Sequence, residues 1–253
     1  MEFNQFWSQV TELTQASLKS RYRRTFAGFI WVVLNPLMMF GVQSLVFKTF
    51  MRIDVPNYYL FLLGGLLPWI FFSQTIQMGT PIFVAQSHLL RSFKINPMVI
   101  LASQVLDNFI NFIASFLLIL LPFYLLSGQN LLPLLLLPLA IVALLIATLG
   151  ACIIFGTINV FFRDTNFVIG FMFSLLFFMT PIFYPKEYVP ERWQWLVELN
   201  PLNYLLGPFK IIIHNQGIGF VNSILWSFGV AIAFALIAIL VWRKKRNGFY
   251  FRL

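Results

Sequence analysis

The sequence predicts an all-α membrane protein: six transmembrane helices, an N-terminal amphipathic helix in the inner interface, and two short external helices before the last span. Three observations predict it. Of the 253 residues, 60% are apolar and only 10% are charged, a balance that a water-soluble domain of this size would find hard to keep in solution. Uncharged runs recur that are long enough to cross a hydrocarbon core of ~30 Å, which takes about 20 helical residues. Those runs are solidly apolar, whereas a membrane barrel would show alternating polarity over segments of about ten residues.

Residues 1–25 come first as an interface segment. From Glu2 to Leu18 the apolar Phe3, Phe6, Trp7, Val10, Leu13 and Leu18 recur near helical spacing between polar residues, which suits a helix lying along the membrane. The stretch lacks a short apolar core followed by a small-residue cleavage site, so no removable signal peptide is expected and the first span serves as its own insertion signal. Spans are then expected near residues 26–47, 58–84, 98–126, 131–162, 167–184 and 221–242. Ser127, Gly128, Gln129 and Asn130 alone separate the third run from the fourth, a tight polar turn that makes the two an antiparallel pair of neighbours. The external segment 185–220 is too apolar for a simple loop. With breaks at Asn200-Pro201 and Gly207-Pro208, it reads as two short helices dipping into the outer leaflet. Trp193, Trp195 and Tyr204 stand out there as residues of an outer gate, and the helices either cap an exit path or anchor the outer loop.

The net charge of +9 would suit nucleic acid, but the basic residues sit at the ends of the apolar runs, which points to topology instead. With the N-terminus inside, Lys19, Arg21, Arg23, Arg24, Arg91, Lys94, Arg163, the cluster Arg243 to Arg246 and Arg252 are cytoplasmic. That is twelve of the seventeen lysines and arginines, so both termini are expected in the cytoplasm. The basic cluster after the last span reads as a stop signal meeting anionic head groups.

Reactive chemistry is sparse. No phosphate-binding loop of the G-x-x-x-x-G-K-S/T type occurs, so the chain is not expected to hydrolyse ATP alone. Asp107 is the one carboxylate well inside a span. Beside Asn108 and near Gln104 and Asn111, it is either part of a polar cluster pairing helices or part of a solvated path. His88 and His214 fall on opposite faces of the membrane and cannot share a metal, so no catalytic residue and no metal site is expected. The single cysteine, Cys152, lies in an apolar run as packing. Aromatic surface is abundant, with 31 phenylalanines, 8 tyrosines and 7 tryptophans. Most suit lipid or helix contacts. In the fifth run, Phe167, Phe171, Phe177, Phe178 and Tyr184 are candidates for lining a conduit, where rings stack on the C–H faces of sugars.

Four local motifs carry a resemblance. Leu18-Lys19-Ser20-Arg21-Tyr22-Arg23-Arg24, followed by Gly28, Trp31 and Pro36, leads into the first span. Gly65-Leu66-Leu67-Pro68-Trp69-Ile70-Phe71-Phe72 lies in the second, and Asn159-Val160-Phe161-Phe162-Arg163-Asp164 closes the fourth. Thr180-Pro181-Ile182-Phe183-Tyr184 is paired with Asn200-Pro201. In this order and spacing, over nearly the whole chain, they resemble the permease subunits of ABC-2 type exporters, especially those for lipid-linked polysaccharides such as O-antigen, capsule and teichoic acid. One departure is Asn96 before Pro97, where relatives often carry an aromatic residue.

The resemblance implies that residues 26–253 form an ABC-2 type transmembrane domain. It implies a homodimer in the bacterial inner membrane, bound to two separate ATPase subunits that hold ATP and magnesium, with no cofactor in this chain. Its cargo would be an undecaprenyl-linked polysaccharide, and its surroundings the lipid bilayer. His88, Leu89, Leu90, Arg91, Phe93, Lys94, Arg163 and Asp164 would then contact the ATPases. Arg21, Tyr22, Arg23 and Arg24 would meet the lipid pyrophosphate at the inner interface, although positive-inside topology also accounts for these arginines. Alternatives are a half-exporter for a drug or small lipid, and, in another class, an ion-coupled carrier that requires Asp107.

Overall fold

The computed structural model describes residues 3–22, 28, 30–93, 95–214 and 219–253, and among them every regular element is helical. The N-terminal helix α1 covers Phe3–Tyr22. Helix α2 (Ile30–Ser44) continues through a wider π turn, Leu45–Phe50, into one apolar rod of 21 residues. Next come α3 (Tyr58–Gly79), the short α4 (Ile82–Ala85) and α5 (Ser87–Phe93). The rod Pro97–Leu126 comprises α6 (Pro97–Ser115), a π turn and α7 (Leu121–Leu126). A 3-10 turn leads into α8 (Leu137–Phe161), so that the fourth rod spans Leu132–Phe161. After α9 (Thr165–Met179), α10 (Glu191–Leu199) and α11 (Pro201–His214), the chain ends in α12 (Phe220–Arg252).

Five of these rods are long and apolar enough to cross a membrane: those containing α2, α3, α6 with α7, α8 and α12. The expected fifth span is shorter than its apolar run. Its helix α9 has 15 residues, fewer than the about 20 that a full crossing takes. The cause is local: Pro181 disfavours helical geometry at Thr180, which turns extended (φ −93°, ψ 130°). The expected second span likewise stops at Gly79, before Thr80-Pro81, and α4 continues as a separate turn. At the other end of the chain α12 runs 33 residues, ten beyond the expected end at Trp242. Lys245 and Arg252 stand over the Phe161 ring at 4.6 and 5.3 Å, and the buried Phe249 packs edge-on against Phe83.

Helix α3 is the hub. Leu60 to Phe72 are all buried, because α6, α8, α9, α2 and α11 all pack around it. The Tyr58 hydroxyl at its N-terminal end donates to the Phe183 carbonyl at 2.8 Å. The tightest pair is α8 with α12: a Cβ added to Gly150 would lie 2.8 Å from the Phe234 backbone carbon. Small residues let membrane helices approach this closely, because there is no water to drive them together. The hairpin between α7 and α8 closes as expected, with the Tyr124 hydroxyl donating to the Asn130 carbonyl at 2.6 Å. The main partner of α8 is nevertheless α12.

Helix α11 corrects one sequence expectation, since Gly207-Pro208 lies inside it and does not break it. Its face of Leu202, Leu205, Leu206, Phe209, Ile212 and Ile213 is buried. Burial on that scale outweighs the roughly 3 kcal/mol that an internal proline costs.

Candidate functional site

An ion pair ties α1 to the middle of α6. Helix α1 packs along α6 with Val10 and Thr14 buried, and the Thr14 hydroxyl donates to its own helix at Val10 and, at 3.4 Å, to the Ser103 carbonyl. One turn further, Ser17 and Arg21 both reach Asp107: Ser17 Oγ donates to Oδ2 at 2.9 Å and Arg21 Nη2 at 2.6 Å. Asp107 therefore pairs helices, the first of the two roles its sequence context allowed. A lone carboxylate in an apolar helix needs a cation, and Arg21 closes the nearest amphipathic stretch. Composition gave that signal, but it did not name the partner or Ser17.

Beyond this pair lies a cavity of about 340 Å³ between α1, α2, α3 and α6. Its wall includes Arg21, Gly28, Trp31 and Pro36, all from the first sequence motif, with Leu67, Ile70 and Phe71 from the second. Gly28 adopts φ +48°, a left-handed backbone that other residues rarely take. Besides Arg21, the polar side chains described in the wall are the carboxamides Asn35, Gln74, Asn108 and Asn111 and the hydroxyls of Thr75 and Ser115. The mostly buried Asn108 donates its amide to Met78 Sδ at 3.6 Å. Ser115 Oγ donates to the Val32 carbonyl at 2.9 Å and so locks α6 to α2 beside the cavity.

The two turns expected to face a partner lie at one end of the bundle. Gly156 of α8 sits against Phe83 of α4, and a Cβ there would come within 3.1 Å of that ring. Helix α5 buries Leu90, half-covers Leu89, and leaves His88, Arg91 and Phe93 exposed. After α8, Arg163 and Asp164 are exposed beside Phe162. Asn96, the departure from the family pattern, caps α6: its side chain accepts from the Met98 N–H at 3.0 Å, with Pro97 at the first helical position. Arg23, Arg24 and Lys94, also expected in these roles, lie outside the described residues, as does the side chain of Tyr22.

The expected conduit aromatics separate into two sets. Phe167, Phe171 and Phe178 share one outward face of α9 and are 78%, 68% and 65% exposed. Phe177 instead turns inward against Trp69 and Phe183, and Tyr184 donates its hydroxyl to the Phe178 carbonyl at 2.8 Å. Phe183 also stacks on Phe47 at 4.1 Å, which brings the π turn after α2 against the segment that follows α9. The outward face of α2, with Ile30, Met38 and Val42, is likewise uncovered in the single chain.

Where α9 gives way to α10 and α11, the two halves of the fourth motif touch. Asn200 Nδ2 donates to Thr180 Oγ1 at 2.8 Å, while its Oδ1 accepts from the Leu202 N–H at 3.0 Å and so starts α11. Trp193 and Trp195 on α10 are half exposed, with Arg192 over the Trp193 ring at 4.8 Å, and Tyr204 packs on Trp226 of α12. The Lys210 ammonium stands 4.2 Å over the Phe61 ring, and burial pulls it down to about 7 against the opposing influence of Glu187. Among the described residues no group of histidine, cysteine and carboxylate side chains is placed to hold a metal ion.

Comparison with known proteins places these features in context. The sequence profile of the ABC-2 type transporter family matches residues 8–214. The chain is 29% identical over 242 residues to an O-antigen export system permease protein RfbA of Klebsiella pneumoniae, covering 94% of this chain and 92% of the relative. It is 29% identical over 255 residues to the protein of the same name in Myxococcus xanthus, covering 98% and 96%. The polysialic acid transport protein KpsM of Escherichia coli is 24% identical over 205 residues, covering 78% of each chain.

Proposed function

Because the chain belongs to the ABC-2 type transporter family, we propose that it is the permease subunit of an exporter moving a lipid-linked polysaccharide of the O-antigen kind across the cytoplasmic membrane. The observation that carries this reading is similarity over nearly the full length to O-antigen export permeases of two organisms. Residues 26–253 form the transmembrane domain, in which α9 is the fifth of six crossing segments, and both termini are cytoplasmic. Residues 1–25 form an interface element held on α6 by the Arg21–Asp107 pair.

Energy comes from two partner ATPase subunits that bind ATP and magnesium. The exposed His88, Arg91 and Phe93 of α5, with Lys94, Arg163 and Asp164, take up their motion. Two copies of this chain oppose their uncovered α2 and α9 faces. The ring row Phe167, Phe171 and Phe178 then borders the passage, where aromatic faces meet sugar C–H surfaces without fixing the hydroxyls. Trp193, Trp195 and Tyr204 lie at its outer mouth, and Arg23 and Arg24 meet the pyrophosphate at the inner one. The engagement of Asp107 with Arg21 and Ser17 weighs against an ion-coupled carrier, which would need that carboxylate free to cycle its proton.

The test is export of the glycan with the partner ATPase intact or with its phosphate-binding lysine replaced. Export stops in the second case while this chain still inserts. Reversing charge at Arg91 and Arg163 together uncouples ATP hydrolysis from export. Uphill transport by vesicles containing only this chain would overturn the reading.

A further inference from the structure

A helix that only crossed the membrane would stop near Trp242. At 33 residues α12 rises about 50 Å, well beyond the ~30 Å of a hydrocarbon core. Residues 243–252 include Arg243, Lys244, Lys245, Arg246 and Arg252, too much charge for hydrocarbon. What keeps this extension helical and in place is the stripe Trp242, Lys245, Phe249 and Arg252, which recurs at helical spacing. Each member has an aromatic ring as partner, while Arg243, Lys244 and Arg246 are exposed.

The two rings met outside α12 belong to different turns. Phe83 is wholly buried and stands four residues before α5 begins at Ser87. Phe249 meets it edge-on with ring centroids 5.2 Å apart, and Gly156 of α8 makes room for the same ring. Phe161 is the last residue of α8, two before Arg163. Lys245 and Arg252 both stand over it, at 4.6 and 5.3 Å, within the about 6 Å over which a ring attracts a cation. The backbone passes close as well, since a Cβ added to Gly248 would sit 3.6 Å from that ring. One helical segment thus grips the approach to α5 and the approach to the Arg163-Asp164 turn together.

These are the turns proposed to take up the motion of the partner ATPase. If they moved independently, that motion would be absorbed in changing their spacing. A stiff link would pass it instead to α12, the main packing partner of α8. We propose that residues 243–252 are a clasp holding α5 and the Arg163-Asp164 turn at one spacing, with Phe249, Lys245 and Arg252 as its positioning residues, so that the partner moves both turns as one body with α12. The inference rests on the reading of the chain as an ATP-driven exporter.

The test uses the full complex with its ATPase in proteoliposomes, with glycan exported and ATP hydrolysed read on the same sample. Phe249→Ala should lower export per ATP about fivefold, the scale of one aromatic pair, while hydrolysis continues and Phe249→Leu restores most of the ratio. Lys245→Met with Arg252→Met removes both charges and keeps apolar stems. It should lower the ratio about threefold, the scale of an exposed contact between cation and ring. In a Phe161→Leu background the same pair should change nothing further, because the ring they act on is gone. Arg246→Gln removes an exposed charge from the same segment and should leave the ratio unchanged.

A second readout is independent of transport. Spin labels are placed at Ser92→Cys and Asn166→Cys, both exposed positions, and labelled permease is diluted into unlabelled so that distances within one chain dominate. The buried Cys152 takes no label. The distance should be sharply distributed in the parent and broader in Phe249→Ala and in the Lys245 and Arg252 double variant. If Phe249→Ala fails to assemble, that double variant carries the test alone. An unchanged distribution, a proportional loss of export and hydrolysis, or an equal effect of the cation pair without Phe161 overturns the clasp, even where export still depends on the ATPase. Broadened distances in a complex whose export ignores the ATPase would leave the clasp standing as a physical link and sink the exporter reading.

Discussion

Arg21 and Asp107 are unequal halves of their pair. The aspartate side chain is wholly buried, while the arginine side chain is 32% exposed. Removing Arg21 strands a buried carboxylate with Ser17 as its hydrogen-bond donor, and broken buried pairs cost about 3–5 kcal/mol. Removing Asp107 leaves a guanidinium whose long stem can carry it to the interface, so the loss should be smaller. Thermal unfolding of the purified complex should therefore fall further for Arg21→Met than for Asp107→Leu. The double substitution should recover part of the loss, since neither charge is then stranded. A larger loss from Asp107→Leu would contradict this account. Sequence made Asp107 conspicuous as a carboxylate in an apolar helix, but its partner lies 86 positions away. Helical periodicity reports only neighbours three or four residues apart, so the pair was legible as a need and not as a contact. The pyrophosphate role expected for Arg21 competes with this engagement, which leaves Arg23 and Arg24 as the better candidates.

At the scale of elements, the α8–α12 crossing is the most exacting packing in the fold. A methyl at Gly150 would meet Phe234 backbone at 2.8 Å, and a backbone cannot rotate away as a side chain can. Gly150→Val should push the two helices apart and lower thermal stability by about 1–3 kcal/mol, the usual scale for overpacking. Gly229→Val, on the same α12 with open space at its Cβ, should have little effect in the same unfolding measurement. The elements themselves were largely legible, because long apolar runs translate directly into helices when lipid leaves no other way to satisfy the backbone. Their ends were not. Pro81 and Pro181 stop α3 and α9 inside continuous apolar sequence, whereas Pro208 is absorbed within α11 by tertiary burial. The same residue type punctuates in one place and not in another, and hydropathy alone cannot separate the cases. The cavity was likewise invisible as a unit: Asn108 and Asn111 stood out as a polar group, but their convergence with Trp31 and Gln74 requires the packing of three helices.

For the molecule as a whole, the described residues form a bundle packed around α3, with uncovered apolar faces along α2, α9 and α12 and the exposed turns of Arg91 and Arg163 at one end. At 15 residues α9 rises about 22 Å, some 8 Å less than the hydrocarbon layer it would have to cross. In the proposed arrangement, where α9 crosses, acyl chains beside it must shorten or tilt to meet it, which gives the protein its own zone of thinned bilayer. Reconstituted with its ATPase in vesicles of increasing acyl length, the complex should export more slowly as the lipids thicken, with ATP hydrolysis affected less. On the proposed reading, a hydrated sugar chain beside that wall would have a shorter dry stretch to cross, so the truncated helix would trade a snug fit with lipid for a lower dielectric barrier to its cargo.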